Sequence, residues 1–75
     1  MKHLTLKKLR EQKGWSVELA SKIYGIKARV IKDYEEYRVI PRVEDVAIIL
    51  KSLGLYYFEI MIIIFDDYAI KYRKY

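Results

Sequence analysis

Apolar positions recur at helical spacing through most of this chain, and glycines interrupt the pattern where a helix would have to stop. Over residues 4–13, Leu6 and Leu9 share a side away from the lysines, Thr5 is in place as an N-cap, and Gly14 follows as the terminating residue. A second helix is predicted over 17–24, capped by Ser16, with Val17, Ala20, Ile23 and Tyr24 as its inward stripe. Gly25 then supplies the left-handed backbone of a tight turn. The third helix, 27–35, buries Ile31 and Tyr34, with Ile26 before them and Val30 beside them. Its other side carries Lys27, Ala28, Arg29, Lys32 and Asp33. Pro41 suits the first turn of a fourth helix, in which Val43, Val46, Ile49 or Leu50, and Leu53 share a side until Gly54.

Residues 56–75 fit two conformations. YYFEIMIIIF is β-branched and aromatic enough for a strand, and after Asp66 and Asp67 the alternation of Tyr68, Ile70 and Tyr72 with Ala69, Lys71 and Arg73 would complete a β-hairpin. A fifth helix starting near Tyr56, with Tyr57 and Ile60 facing the core, is the alternative we favour. In either form the apolar side chains exceed what one small core covers. Ile60, Ile62, Ile63, Ile64 and Phe65 are therefore expected at a homodimer interface, dividing the chain into a domain over 1–55 and a dimerisation segment over 56–75.

Composition narrows the chemistry. The 75 residues contain no cysteine and one histidine, His3, which leaves no thiolate zinc site, thiol nucleophile or multi-histidine metal site to assemble. No enzymatic activity and no cofactor are expected. The longest apolar stretch, 60–65 with its flanks, falls short of the ~20 residues of a membrane helix, so a cytoplasmic protein with no membrane association is expected. The net charge of +5 favours a polyanionic partner, and its distribution is uneven: Lys2, Lys7, Lys8, Arg10 and Lys13 face only Glu11 in the first 15 residues.

Taken together, LKKLREQKGWS at 6–16, Ser21 four residues before Gly25, then Ile31, Glu35, Pro41 and LKSLGL at 50–55 resemble the helix-turn-helix domain of the lambda-repressor and Cro-like (XRE-type) family. The resemblance implies an all-α domain of four to five helices that binds double-stranded DNA through its third helix. Carried over by position, it makes Lys27, Ala28, Arg29, Lys32 and Asp33 the base-facing residues. Arg29 is the strongest of these, because a guanidinium can bond guanine O6 and N7 together; Asp33 can accept from a cytosine amine or orient Arg29 four residues earlier. Ser16, Lys7, Lys13 and Arg38 are the expected backbone contacts. Arg10 and Glu35 are implied to form a structural ion pair, which removes Arg10 from the DNA contacts.

The chain also departs from that pattern. Val17 stands where many members have a DNA-contacting glutamine, and Glu36-Tyr37-Arg38 stands where they commonly have Asn-Gly and a basic residue. Tyr37 thus replaces a glycine whose φ is often positive. Two functions remain open at this point: a sequence-specific regulator binding a palindromic operator as a homodimer, or a protein-interaction module of antitoxin or anti-repressor type that uses the C-terminal apolar segment.

Overall fold

The computed structural model describes residues 4–72. His3, Lys2 and the last three residues of the C-terminal segment lie outside that range. Five helices follow one another: α1 (Leu6–Gln12), α2 (Val17–Tyr24), α3 (Ala28–Glu35), α4 (Val43–Ser52) and α5 (Phe58–Tyr72). No strand occurs among the described residues, so the β-hairpin alternative is not realised. Helical burial of Ile64 and Tyr68, four residues apart, overrides the strand propensity of the local sequence.

The helix ends are set by the residues expected to set them. Thr5 Oγ1 accepts the Lys8 N–H at 3.1 Å and Ser16 Oγ accepts the Leu19 N–H at 3.0 Å, each cap contributing about 1 kcal/mol. Gly25 adopts φ 76° at the end of α2, and its N–H donates to the Ser21 carbonyl at 2.9 Å. The Ser21 hydroxyl spans the same turn, donating to the Ile26 carbonyl at 2.6 Å. Lys27 is the N-cap of α3 rather than its first helical residue. Arg42 caps α4, so buried Pro41 lies before that helix rather than in its first turn.

A single core joins all five helices. Leu6, Leu9, Ala20, Ile31, Val46, Leu50, Ile64 and Tyr68 are all buried in it. Three expected core residues lie outside it: Ile23 is 40% exposed, Val43 60% and Tyr57 59%. Ile23 is excluded because Ala20 and Tyr24 already define the line along which α2 meets its neighbours. Val43 and Tyr57 sit at the starts of α4 and α5, where the side chains point past the core.

Polar bonds anchor α3 from one side. Arg10 Nε and Nη2 donate to the two carboxylate oxygens of Glu35 at 2.7 and 2.9 Å, while Nη1 donates to the Trp15 carbonyl at 2.7 Å. This forked pair, with both side chains less than one-tenth exposed, ties α1 and the α1–α2 turn to the end of α3. The Tyr34 hydroxyl donates to Asp45 of α4, and the Tyr68 hydroxyl of α5 donates to the Tyr34 carbonyl. Past the helix end, Tyr37 is the one non-glycine residue among those described with positive φ, at 62°. That conformation costs about 1–2 kcal/mol for an L-residue.

Burial raises several phenol pKa values. Tyr24 is pushed up to about 12 by desolvation, with Glu35 adding to the shift and Arg10 opposing it. Tyr34 is raised by burial and by its bond to Asp45, Tyr37 by burial and by its bond to Asp67, and Tyr68 by burial and the neighbouring Tyr37 and Asp67. Hydrogen bonding to Glu35 raises the Arg10 pKa, outweighing desolvation.

Glu35→Ala leaves a buried guanidinium without its carboxylate and is expected to cost about 3–5 kcal/mol in urea unfolding, whereas replacing both partners with Leu and Met costs far less. Equal losses for the single and double variants would show that the pair contributes little beyond its volume. Raised phenol pKa values stabilise the fold fully below the unfolded-chain value of 10.0, and that contribution is lost as pH climbs through the folded values, about 12 for Tyr24. Tyrosinate absorbance should therefore show Tyr24, Tyr34, Tyr37 and Tyr68 ionising only as the helices melt; ionisation of every tyrosine near 10.0 with helicity intact would contradict this.

Candidate nucleic-acid interface

The outer side of α3 is defined by what its inner side buries. Ile31 and Tyr34 point into the core, so Arg29, Lys32, Asp33 and Glu36, spaced by three, four and seven residues, align on the opposite side. Lys27, Arg29 and Lys32 are exposed, and Ala28 and Asp33 are half-buried. A short residue beside two long cations leaves room for a flat surface to approach the helix.

Asp33 does not orient Arg29. Its Oδ1 instead lies 3.6 Å from Arg38 Nη1, while Arg38 Nη2 lies 2.9 Å from Glu36 Oε1. The reason is backbone geometry: the chain reverses after α3, and the Arg38 N–H donates to the Asp33 carbonyl at 2.9 Å, which brings the guanidinium back over the last turn. Arg38 therefore offsets part of the negative charge of Asp33 and Glu36 on the side shared with Arg29 and Lys32. The exposed pairs contribute less than about 1 kcal/mol to stability, so their consequence is electrostatic rather than structural.

The remaining candidates are dispersed. Ser16 is exposed at the start of α2, and its cap bond uses the oxygen as acceptor, leaving the hydroxyl hydrogen able to donate. Lys7 and Lys13 are exposed at opposite ends of α1. Val17 packs partly against the core, where an apolar residue is in place. Lys22, exposed in the last turn of α2, adds a cation beside the turn that was not among the sequence-derived contacts.

A family model described as helix-turn-helix matches residues 6–60. The chain belongs to that family, in its lambda-repressor and Cro-like (XRE) type. Comparison with curated proteins and with solved structures finds no match. As a helix-turn-helix protein it is a DNA-binding regulator: α2 and α3 form the motif, Gly25 turns it, and α3 is its second helix. The match ends inside α5, whose remaining residues pack on the same core through Ile64 and Tyr68.

The apolar side chains of α5 divide between two sides. Ile64 is fully buried in the monomer, so it cannot contribute to a subunit contact, and Ile60, Ile63 and Phe65 are half-buried. Apart from Ile70, the exposed large apolar side chains of this segment lie at and just before the start of the helix. Tyr56, Tyr57, Phe58, Ile62 and Phe65 line a groove of about 550 Å³ with Val43 of α4. No helix among the described residues is long and apolar enough to cross a membrane.

Proposed function

We propose that this helix-turn-helix protein is a small cytoplasmic repressor that binds a palindromic operator as a homodimer, with α3 in the major groove. One observation carries the reading: among the described residues, the side-chain bonds that tie α3 to α1, α4 and α5 come from its inner side or its end, while Arg29 and Lys32 stand exposed on the outer side and Lys27 at the start of the helix. In this arrangement Arg29 bonds a guanine edge and Ala28 meets a thymine methyl. Lys27 and Lys32 reach phosphate or guanine, and the Asp33 oxygen turned away from Arg38 accepts from a cytosine amine. Ser16, Lys7, Lys13 and Arg38 contact the sugar-phosphate backbone, Arg38 after releasing Glu36.

The subunit contact is assigned to the groove at the start of α5. Tyr56, Tyr57 and Phe58 are 51, 59 and 77% exposed, which at aromatic side-chain areas amounts to roughly 400 Å². With Val43 and Ile62 beside them, two copies can bury on the order of 1,000 Å², the lower bound of a specific interface. The two α3 helices would then lie about 34 Å apart, one turn of DNA. The same groove supports a second reading, in which another protein occupies it and the domain acts as an antitoxin or anti-repressor.

Selection of bound sequences from a random DNA pool, followed by titration over a range of salt, tests the first reading. A symmetric site is expected, and Arg29→Ala should relax discrimination at one base position by about 1–3 kcal/mol; absence of binding even at low salt would exclude DNA as the partner. For assembly, sedimentation of the wild-type chain at micromolar concentration should give a dimer and the Phe58→Lys, Ile62→Lys double variant a folded monomer. A wild-type monomer without DNA, together with tight binding of another protein at the groove, would favour the second reading.

A further inference from the structure

Two residues past the end of α3, the chain holds a backbone conformation that glycine adopts freely and tyrosine does not. Tyr37, at φ 62°, is nevertheless gripped by one helix at four points. Its hydroxyl donates to Oδ2 of Asp67, a carboxylate only 2% exposed, at 2.5 Å. Its carbonyl accepts from the Tyr72 hydroxyl. Its ring packs against that of Tyr68 with centroids 5.0 Å apart, and Lys71 Nζ stands 4.9 Å from the ring centroid. All four partners belong to the C-terminal half of α5, past the residues that line the apolar groove.

We propose that Tyr37 and Asp67 form a latch through which α5 fixes the exit of the recognition helix, making both of them positioning residues for DNA reading. The inference rests on the reading of α3 as the helix that meets DNA. The latch acts on the three bonds that close α3: Glu36 N–H to the Lys32 carbonyl, Tyr37 N–H to the Tyr34 carbonyl, and Arg38 N–H to the Asp33 carbonyl. The last of these places the Arg38 guanidinium against Asp33 and Glu36, beside Arg29 and Lys32. With the latch open, Arg38 loses its fixed origin, and two carboxylates are left on the side that faces DNA. A glycine here would give the turn without a tether. The tyrosine accepts backbone strain and gains an anchor in a helix 30 residues further along the chain.

The test is amide hydrogen exchange on the full 75-residue chain, comparing wild type with Tyr37→Phe, which removes the hydroxyl and keeps the ring. Exchange at Glu36, Tyr37 and Arg38 should accelerate about tenfold or more, the effect of losing a hydrogen bond to a charged acceptor. Amides of Val46 and Leu50 in the core should change by less than about twofold in the same variant. Tyr37→Gly, which relieves the positive φ but supplies no hydroxyl, should be as labile at these positions as Tyr37→Phe. Unchanged exchange at Glu36 to Arg38 in Tyr37→Phe, equal acceleration over all helices, or a wild-type-like Tyr37→Gly would each overturn the latch. Asp67→Ala should reproduce Tyr37→Phe; if it does not fold, Tyr37→Phe alone decides.

A second readout separates the latch from the DNA reading. On a selected site, Tyr37→Phe should weaken binding roughly five- to tenfold while leaving the salt slope on random DNA unchanged. An unaltered ratio of specific to random binding would overturn the positioning role. If the wild-type chain binds no DNA, the reading of α3 fails, while the exchange data still establish or overturn the latch.

Discussion

The forked bond between Arg10 and Glu35 is the interaction on which the rest of the fold depends. An eight-residue helix is too short to be stable alone, and α3 has its outer side exposed to solvent. It therefore has to be held from within, and Glu35, the last residue of α3, reaches a guanidinium that also grips the Trp15 carbonyl. One side chain thus joins the first helix, the turn after it and the end of the third. Because both charges are buried, neither can be lost without exposing the other to an apolar surrounding. The pair is better understood as fixing where α3 lies than as a large source of net stability.

Around this brace the tyrosines extend the same principle. Tyr34 bonds α4 through Asp45 and receives Tyr68 at its carbonyl; Tyr37 bonds α5 through Asp67 and receives Tyr72 at its own. Phenols suit this task because each buries an aromatic ring and still delivers one directed hydrogen bond at its tip. The result is a helix whose inner side and exit are connected to the other elements and whose outer side is exposed. The two ends of α5 divide accordingly: its C-terminal half bonds the exit of α3, and its start lines the apolar groove. A partner seated on that groove would contact the same helix that holds the exit of α3.

Local signals were sufficient for most of the architecture. Thr5, Ser16, Gly14 and Gly25 marked helix ends by capping chemistry that acts within three or four residues, and the structure places the ends where that chemistry requires. The period of Leu6, Leu9, Ala20, Ile31, Val46 and Leu50 specified which sides face inward. The exposed basic side of α3 followed from the same period. Those features depend on neighbours in the chain, and neighbours are visible in a sequence.

Tertiary contact decided the rest. Whether YYFEIMIIIF became strand or helix depended on a core able to receive Ile64 and Tyr68 from one side of a helix, a property of the other four elements. That same packing moved Ile64 inward and left Val43, Tyr57 and Phe58 among the exposed apolar side chains. Asp33 turned from Arg29 to Arg38 because the chain reverses after α3, and the reversal is held by a carboxylate 30 residues away from the tyrosine that makes it. Periodicity along the chain determined which side of each helix is apolar; only the packed fold decided which of those sides meet each other and which remain for a partner.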